Sequence, residues 1–166
     1  VVRTASGERY IPNYIENRLK FSPYIRNVAV IGAGRDELTA IVCIDFEAVG
    51  HWAEERSISY TSYADLSQKP EVESLVAGVI AHVNETQPAG LRIRRFVNLH
   101  KDFDADDGEI TRTRKLRRNV IETTYGPLIE ALYSGARETV YDAAITYESG
   151  EHGIIRRTLK ISEVAA

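Results

Sequence analysis

NVAVIGAGRDELTAIVCID, Asn27 to Asp45, carries two short apolar runs, Asn27–Gly32 and Leu38–Asp45, on either side of a charged, glycine-bearing segment. Valine- and isoleucine-rich runs of this length, separated by turn residues, predict a β-hairpin with a medium-length loop. Neither run alternates cleanly between apolar and polar, so both strands are expected to be covered on both faces. Upstream, Pro12 suits the first turn of a helix, Ile15 and Leu19 share one face, and Pro23 stops it. Downstream, Phe46 to Arg56 reads as a helix with the single tryptophan, Trp52, and the polar stretch 57–69 as a surface connection. Pro70 opens the clearest helix, with Val72, Leu75, Val76, Val79, Ile80 and Val83 on one stripe. Its first turn carries Glu71 and Glu73, which the helix dipole favours.

Ile93 to Leu99 is expected to form a third strand. The acidic loop KDFDADDGEI (101–110) follows, and then a helix is expected from near Arg114 to about Thr124. Gly126-Pro127 breaks it and starts a second one to Tyr133. SGARE is a linker candidate, and TVYDAAITYE (139–148) with IIRRTLKI (154–161) forms a terminal β-hairpin. The order predicts an α+β fold, a small sheet (hairpin plus third strand) covered by helices with an appended C-terminal β-hairpin. The expected division is a main body at 1–133 and a linker and hairpin extension at 134–166.

Composition narrows the functional classes. The 166 residues are 43% hydrophobic and 27% charged, an ordinary globular balance. No apolar run is long enough to span a bilayer. The one cysteine, Cys43, cannot form an internal disulfide, which makes a reducing cytoplasmic setting the expectation. A chain opening Val1-Val2-Arg3 with no methionine reads as a piece of a longer or processed product. Four scattered histidines and that cysteine give no metal-ligand spacing, so no metal site is expected.

Net charge is −3, yet Thr111 to Arg118 (TRTRKLRR) carries +5 with no acid, which leaves −8 for the remainder. The run reads in three ways. It is a solvated face paired with nearby acids, or a nucleic-acid patch lacking the aromatic side chains that stack bases. It is also a flexible phosphate-handling loop in which one lysine reaches an oxyanion. Pattern alone favours the first. Gly7, in Thr4 to Tyr10, reads from spacing as a turn before the first helix, with Arg9 beside it for an anion as the functional alternative. Asp102, Asp104, Asp106, Asp107 and Glu109 have a calcium-loop composition without the spacing of one. Cys43 reads as a small buried hydrophobe, His82 as a boundary residue, and His51 and Trp52 as packing residues.

GERYIPNYIENRLKFSPYIRNVAVIGAGRDELTAIVCID, then DGEITRTRKLRR, then YGPLIEALY, together resemble the C-terminal domain of long-chain acyl-CoA synthetases. These are AMP-forming fatty-acid ligases of the adenylate-forming superfamily. The resemblance covers Val1 to about Tyr133. It implies the small rotating domain of a two-domain enzyme whose large N-terminal adenylation domain holds ATP/AMP, Mg2+ and the fatty acid. One half-reaction makes acyl-adenylate and the other passes the acyl group to coenzyme A, with the small domain turning between them.

The resemblance places the adenylation lysine at Lys115, in a loop supported by Gly108, Glu109, Thr111 and Thr113. It places Gly7, Glu8 and Arg9 along the pantetheine tunnel. Arg117 and Arg118 are assigned to CoA phosphates by charge alone. Arg112 stands where the family commonly has proline, which loosens the loop. The expected partners are the N-terminal domain of the same polypeptide, fatty acid and CoA, with no nucleic acid. The expected setting is cytoplasmic, with peripheral membrane association of the full enzyme left open. The isolated fragment is expected to be inactive. The alternative is a free-standing binding module that uses 111–118 for an acidic partner or nucleic acid.

Overall fold

The computed structural model describes residues 1–146 and 149–164. The expected hairpin of Asn27–Asp45 forms as β3 (Ile25–Ile31) and β4 (Leu38–Ile44), antiparallel and buried almost throughout. It is preceded by a two-residue ribbon, β1 (Val2–Arg3) and β2 (Arg9–Tyr10), and by α1 (Pro12–Leu19), which opens on its proline. After β4 come α2 (Phe46–Glu55), α3 (Tyr63–Ser67), α4 (Pro70–Asn84) and β5 (Ile93–Asn98). The remaining elements are α5 (Arg118–Thr124), α6 (Gly126–Tyr133), β6 (Glu138–Thr146) and β7 (His152–Glu163).

One sheet runs β3-β4-β5-β7-β6, with β4 and β5 parallel and the other neighbours antiparallel. Both faces of β3, β4 and β5 are covered, which is why their sequences lack alternation. Val28, Val30, Ala40, Val42 and Phe96 meet α1, α2 and α4 through Leu19, Val49, Val76 and Ile80. Ala29, Ile41, Cys43, Val97 and Leu99 meet α5 and α6 through Ile121, Tyr125, Leu128 and Leu132. Adjacent residues of one strand thus feed two cores.

Three expectations are corrected, and the terminal hairpin is placed. The helix expected from Arg114 starts at Arg118, because Ile110 pairs with Leu116 and closes a hairpin first. The connection 57–69 contains α3, capped by the Ser62 hydroxyl on the Asp65 N–H and burying Leu66. His51 is exposed and pairs with Glu55 at 2.8 Å, so it does not pack. The terminal hairpin does more than follow the body. β7 pairs with β5 (Arg95 opposite Glu163, Val97 opposite Ile161) and extends the sheet, while Leu159 enters the second core. Tyr147 and Glu148 of the expected strand lie outside the described residues.

Candidate functional site

Lys115 lies on a short hairpin whose form follows from its threonines. The Thr111 N–H donates to the Lys115 carbonyl at 2.8 Å, and the Arg114 N–H to the Thr111 carbonyl at 2.9 Å. The Thr111 hydroxyl then accepts the Lys115 N–H at 3.0 Å and lies 3.1 Å from the Thr113 hydroxyl. Arg114 takes φ +66, the left-handed bulge position that lets a tight turn rejoin its strand. Ile110 is buried and Leu116 packs on the second core, so the hairpin's base is apolar and its tip is charged. Arg112, Thr113, Arg114 and Lys115 are all exposed. Arg114 lies 3.6 Å from Asp102, and Lys115 has no ion pair among the described residues.

Both roots of this hairpin end on buried carboxylates. At the first root, Gly108 adopts φ +74, open to glycine and strained for other residues, and turns the chain into Glu109. The Glu109 side chain is 1% exposed. It accepts from Lys101 Nζ, from the Tyr125 hydroxyl and, at 3.1 Å, from the Asp104 N–H. Its carbonyl takes the Arg117 N–H at 2.9 Å. Burial alone would lower the Lys101 pKa, but its bonds to Glu109 and Asp107 outweigh that and carry it above the ordinary lysine value. Burial, and then the bond to Glu109, push the Tyr125 hydroxyl far up.

At the second root, Arg118 forms a two-pronged pair with Glu16 of α1, at 2.9 and 2.7 Å. Glu16 also accepts the Val30 N–H at 2.7 Å, and Arg118 donates to the Val30 carbonyl at 3.2 Å. Burial would lower the arginine's pKa, yet Glu16 raises it. Arg118 is therefore spent on the fold, while Arg117 stays exposed on the rim.

Gly7 occupies the turn between β1 and β2. Its φ is +89, its N–H reaches the Thr4 carbonyl at 3.0 Å, and the space beside its Cα is open. The register sets Arg9 directly across from Arg3, so two arginines flank this turn. Glu8 folds back against Gly90, where any Cβ would collide with its carboxylate. Gly7 and Arg9 thus share a small ribbon, and Lys115 stands on a separate hairpin. The link between the two regions runs through α1, which starts two residues after β2 and carries Glu16 to Arg118.

Sequence reading missed Arg3, Glu16, Lys101 and Tyr125. Arg3 carried a signal, since a two-residue ribbon about Gly7 would have paired it with Arg9. Lys101 sits at the start of the acidic loop, eight positions from Glu109, while Glu16 and Tyr125 act across longer separations and left no signal. Among the described residues no group of His, Cys, Asp and Glu could hold a metal ion, and the acidic loop 102–107 instead spends its side chains locally. Asp102 accepts from Asn27 at 2.6 Å, Asp104 from the Asp106 N–H at 2.8 Å, and Asp107 from Lys101 at 3.2 Å.

The α+β unit thus displays Lys115, exposed, on a hairpin entered through Gly108 and held at its roots by Glu109 and Glu16. The chain belongs to the family of AMP-binding enzyme C-terminal domains, whose model matches residues 1–137. It is 34% identical over 146 residues to the putative fatty-acid–CoA ligase fadD11 of Mycobacterium tuberculosis, covering 87% of this chain and 25% of that protein. Against the long-chain-fatty-acid–CoA ligase FadD15 of the same organism it is 30% identical over 135 residues, 81% of this chain and 22% of that one. The chain therefore spans a quarter or less of the length of these relatives. Among solved structures, the A domain of a carboxylic acid reductase from Segniliparus rugosus, in complex with AMP, superposes with TM-score 0.64 at 22% identity. It covers 81% of this chain and 20% of that one, and shows the same fold.

Proposed function

We propose that this chain is the small, rotating domain of an ATP-dependent long-chain fatty-acid–CoA ligase, with residues 1–133 as the moving body and 134–166 as linker and extension. The reading rests chiefly on one observation, an exposed lysine, with no ion pair among the described residues, on a hairpin anchored at both roots. Set against the N-terminal domain of the same polypeptide, the Lys115 ammonium reaches between a fatty carboxylate and the α-phosphate of ATP. It screens two anions that repel each other and stabilises charge that grows as they join. Its task is electrostatic, so the amine works protonated. Arg114 and Arg117 add to the positive field, and the bond between Thr111 and the Lys115 backbone fixes where the side chain starts.

In the second half-reaction the domain turns, and Gly7 with Glu8 and Arg9 lines the passage for the pantetheine arm. The bare Cα of Gly7 leaves room, while Arg9 and the exposed Arg117 face CoA phosphates. Arg118 contributes by holding the hairpin root. Mg2+ belongs to the N-terminal domain. The setting is cytoplasmic, with the full enzyme touching membrane peripherally if at all. No helix among the described residues is long and apolar enough to cross one.

The isolated chain is expected to show no ATP–pyrophosphate exchange with palmitate. In the full-length enzyme, Lys115→Ala should slow adenylation by at least about a hundredfold, the scale of losing one preorganised charge contact. Thioester formation from supplied acyl-adenylate should remain largely intact, and equal loss of both steps would refute the assignment. Strong, salt-sensitive binding of RNA or DNA to the chain would favour the binding-module alternative instead.

A further inference from the structure

The family model stops at residue 137, yet the strands beyond it reach back to the lysine hairpin. Tyr141 of β6 lies between two rings, His100 and Tyr125, each at 5.7 Å between centroids. Its hydroxyl donates to the Thr124 carbonyl at 3.4 Å. Tyr125 in turn leans on Phe103 at 6.2 Å and donates to Glu109, the carboxylate at the hairpin's first root. The Glu109 carbonyl accepts the Arg117 N–H, so an unbroken line of contacts joins the terminal strands to the loop bearing Lys115. Beside that line is a cavity of about 160 Å³ lined by His100, Lys101, Asp107, Glu109, Thr124, Tyr125 and Tyr141. Without the Tyr141 ring, Tyr125 gains space to rotate away from Glu109, which then keeps only Lys101 and one backbone donor.

We propose that Tyr141 is a positioning residue and that the terminal hairpin serves as a brace for the lysine hairpin. The purpose of that bracing rests on the reading of Lys115 given above, whereas the bracing itself does not. The test uses amide hydrogen exchange on the chain as it stands, comparing Tyr141→Ala, Tyr141→Leu and Tyr141→Phe. The N–H groups of Thr111, Lys115 and Arg117, all bonded within the hairpin, report its opening, and those of Ala29 in β3 and Val42 in β4 are controls.

Tyr141→Ala should speed exchange at the three hairpin amides by about tenfold or more, with the controls unmoved, as local opening demands. Tyr141→Leu should do so to a lesser degree, and Tyr141→Phe, which keeps the ring, should match the parent. Unchanged hairpin amides would overturn the proposal, and so would equal acceleration of the controls, which would mean that Tyr141 supports only global stability. In the full-length enzyme, Tyr141→Ala should lower ATP–pyrophosphate exchange and spare the thioester step. If Lys115→Ala spared adenylation, the functional reading would fall while the hydrogen-exchange result stood.

Discussion

The two roots of the lysine hairpin are held by carboxylates that are equally hidden but differently partnered. Glu16 meets a guanidinium, whose fixed fork places two N–H groups on two oxygens, and a backbone amide of β3 completes the set. Glu109 also takes one backbone amide, that of Asp104, but its side-chain donors are an ammonium and a phenol on independent side chains with no shared geometry. The first arrangement is rigid and ties the hairpin to α1, hence to the ribbon of Gly7. The second depends on Tyr125 and Lys101 keeping their rotamers, and the Tyr125 ring leans on Tyr141 of β6, which in turn meets His100. A hairpin hinged this way has one fixed end and one adjustable end.

The comparison breaks most severely at the fixed end. Glu16→Ala leaves the Arg118 guanidinium half-buried with no anion, and it also strips an acceptor from the Val30 N–H. Removing one partner of a buried pair costs about 3–5 kcal/mol. Arg118 keeps some solvent contact, so we expect a loss of about 3 kcal/mol in urea unfolding. Pairing Glu16→Leu with Arg118→Met should recover much of it. If the single and double variants were equally unstable, the loss would trace to the Val30 N–H, which both leave without its acceptor, and the ion pair would not be what holds this root.

The adjustable end should respond to acid. The His100 pKa is held down to about 4 by burial, with the charges of Lys101 and Arg157 adding to the effect. The unfolded histidine titrates near 6.5, so between the two values the unfolded chain binds a proton that the folded chain refuses. Stability is then full above about pH 6.5, falls as pH drops through the window, and levels off below about pH 4, with about 2 kcal/mol lost by pH 5. His100→Gln should flatten that fall in urea titrations at pH 7 and pH 5, while leaving the carboxylate contribution in both proteins. Identical slopes would clear His100 of the effect. Hydrogen exchange at pH 5 should show the Glu109 side opening before the Glu16 side.

Proline and β-branched residues made most of this fold legible. Pro12 and Pro70 sit in the first turns of α1 and α4, as their fixed φ requires, and the two runs of Asn27–Asp45 form adjacent buried strands. Local rules failed where a residue's fate was set at a distance. Glu16 shares the buried face of α1 with Pro12, Ile15 and Leu19, but nothing near it in sequence names its partner, which lies 102 positions away. The start of α5 was misplaced since 114–117 has good helix formers and no breaker, and only the pairing of Ile110 with Leu116 keeps that stretch extended. The short α3 did have a signal in Ser62 and Asp65, three residues apart. At the site, the resemblance pointed to Lys115, Thr111, Thr113 and Glu109, whereas Glu16, the carboxylate at the second root, drew no reading at all.

The smallest expected effect lies at the tip, where neither root acts. Arg114 occupies a left-handed conformation, which costs a side-chain-bearing residue about 1 kcal/mol and costs glycine little. Its pairing with Asp102 at 3.6 Å is partly solvated and contributes only a few tenths of a kcal/mol. Arg114→Gly relieves the backbone, gives up the pair, and adds unfolded-state entropy that offsets part of the gain. The net expectation is a slight stabilisation, below about 1 kcal/mol in urea unfolding. Arg114→Ala keeps the strain and loses the pair, so it should be slightly less stable than the parent. If the glycine variant were clearly less stable than the parent, the contact with Asp102 would outweigh the backbone relief, and the tip would count as a third point of attachment.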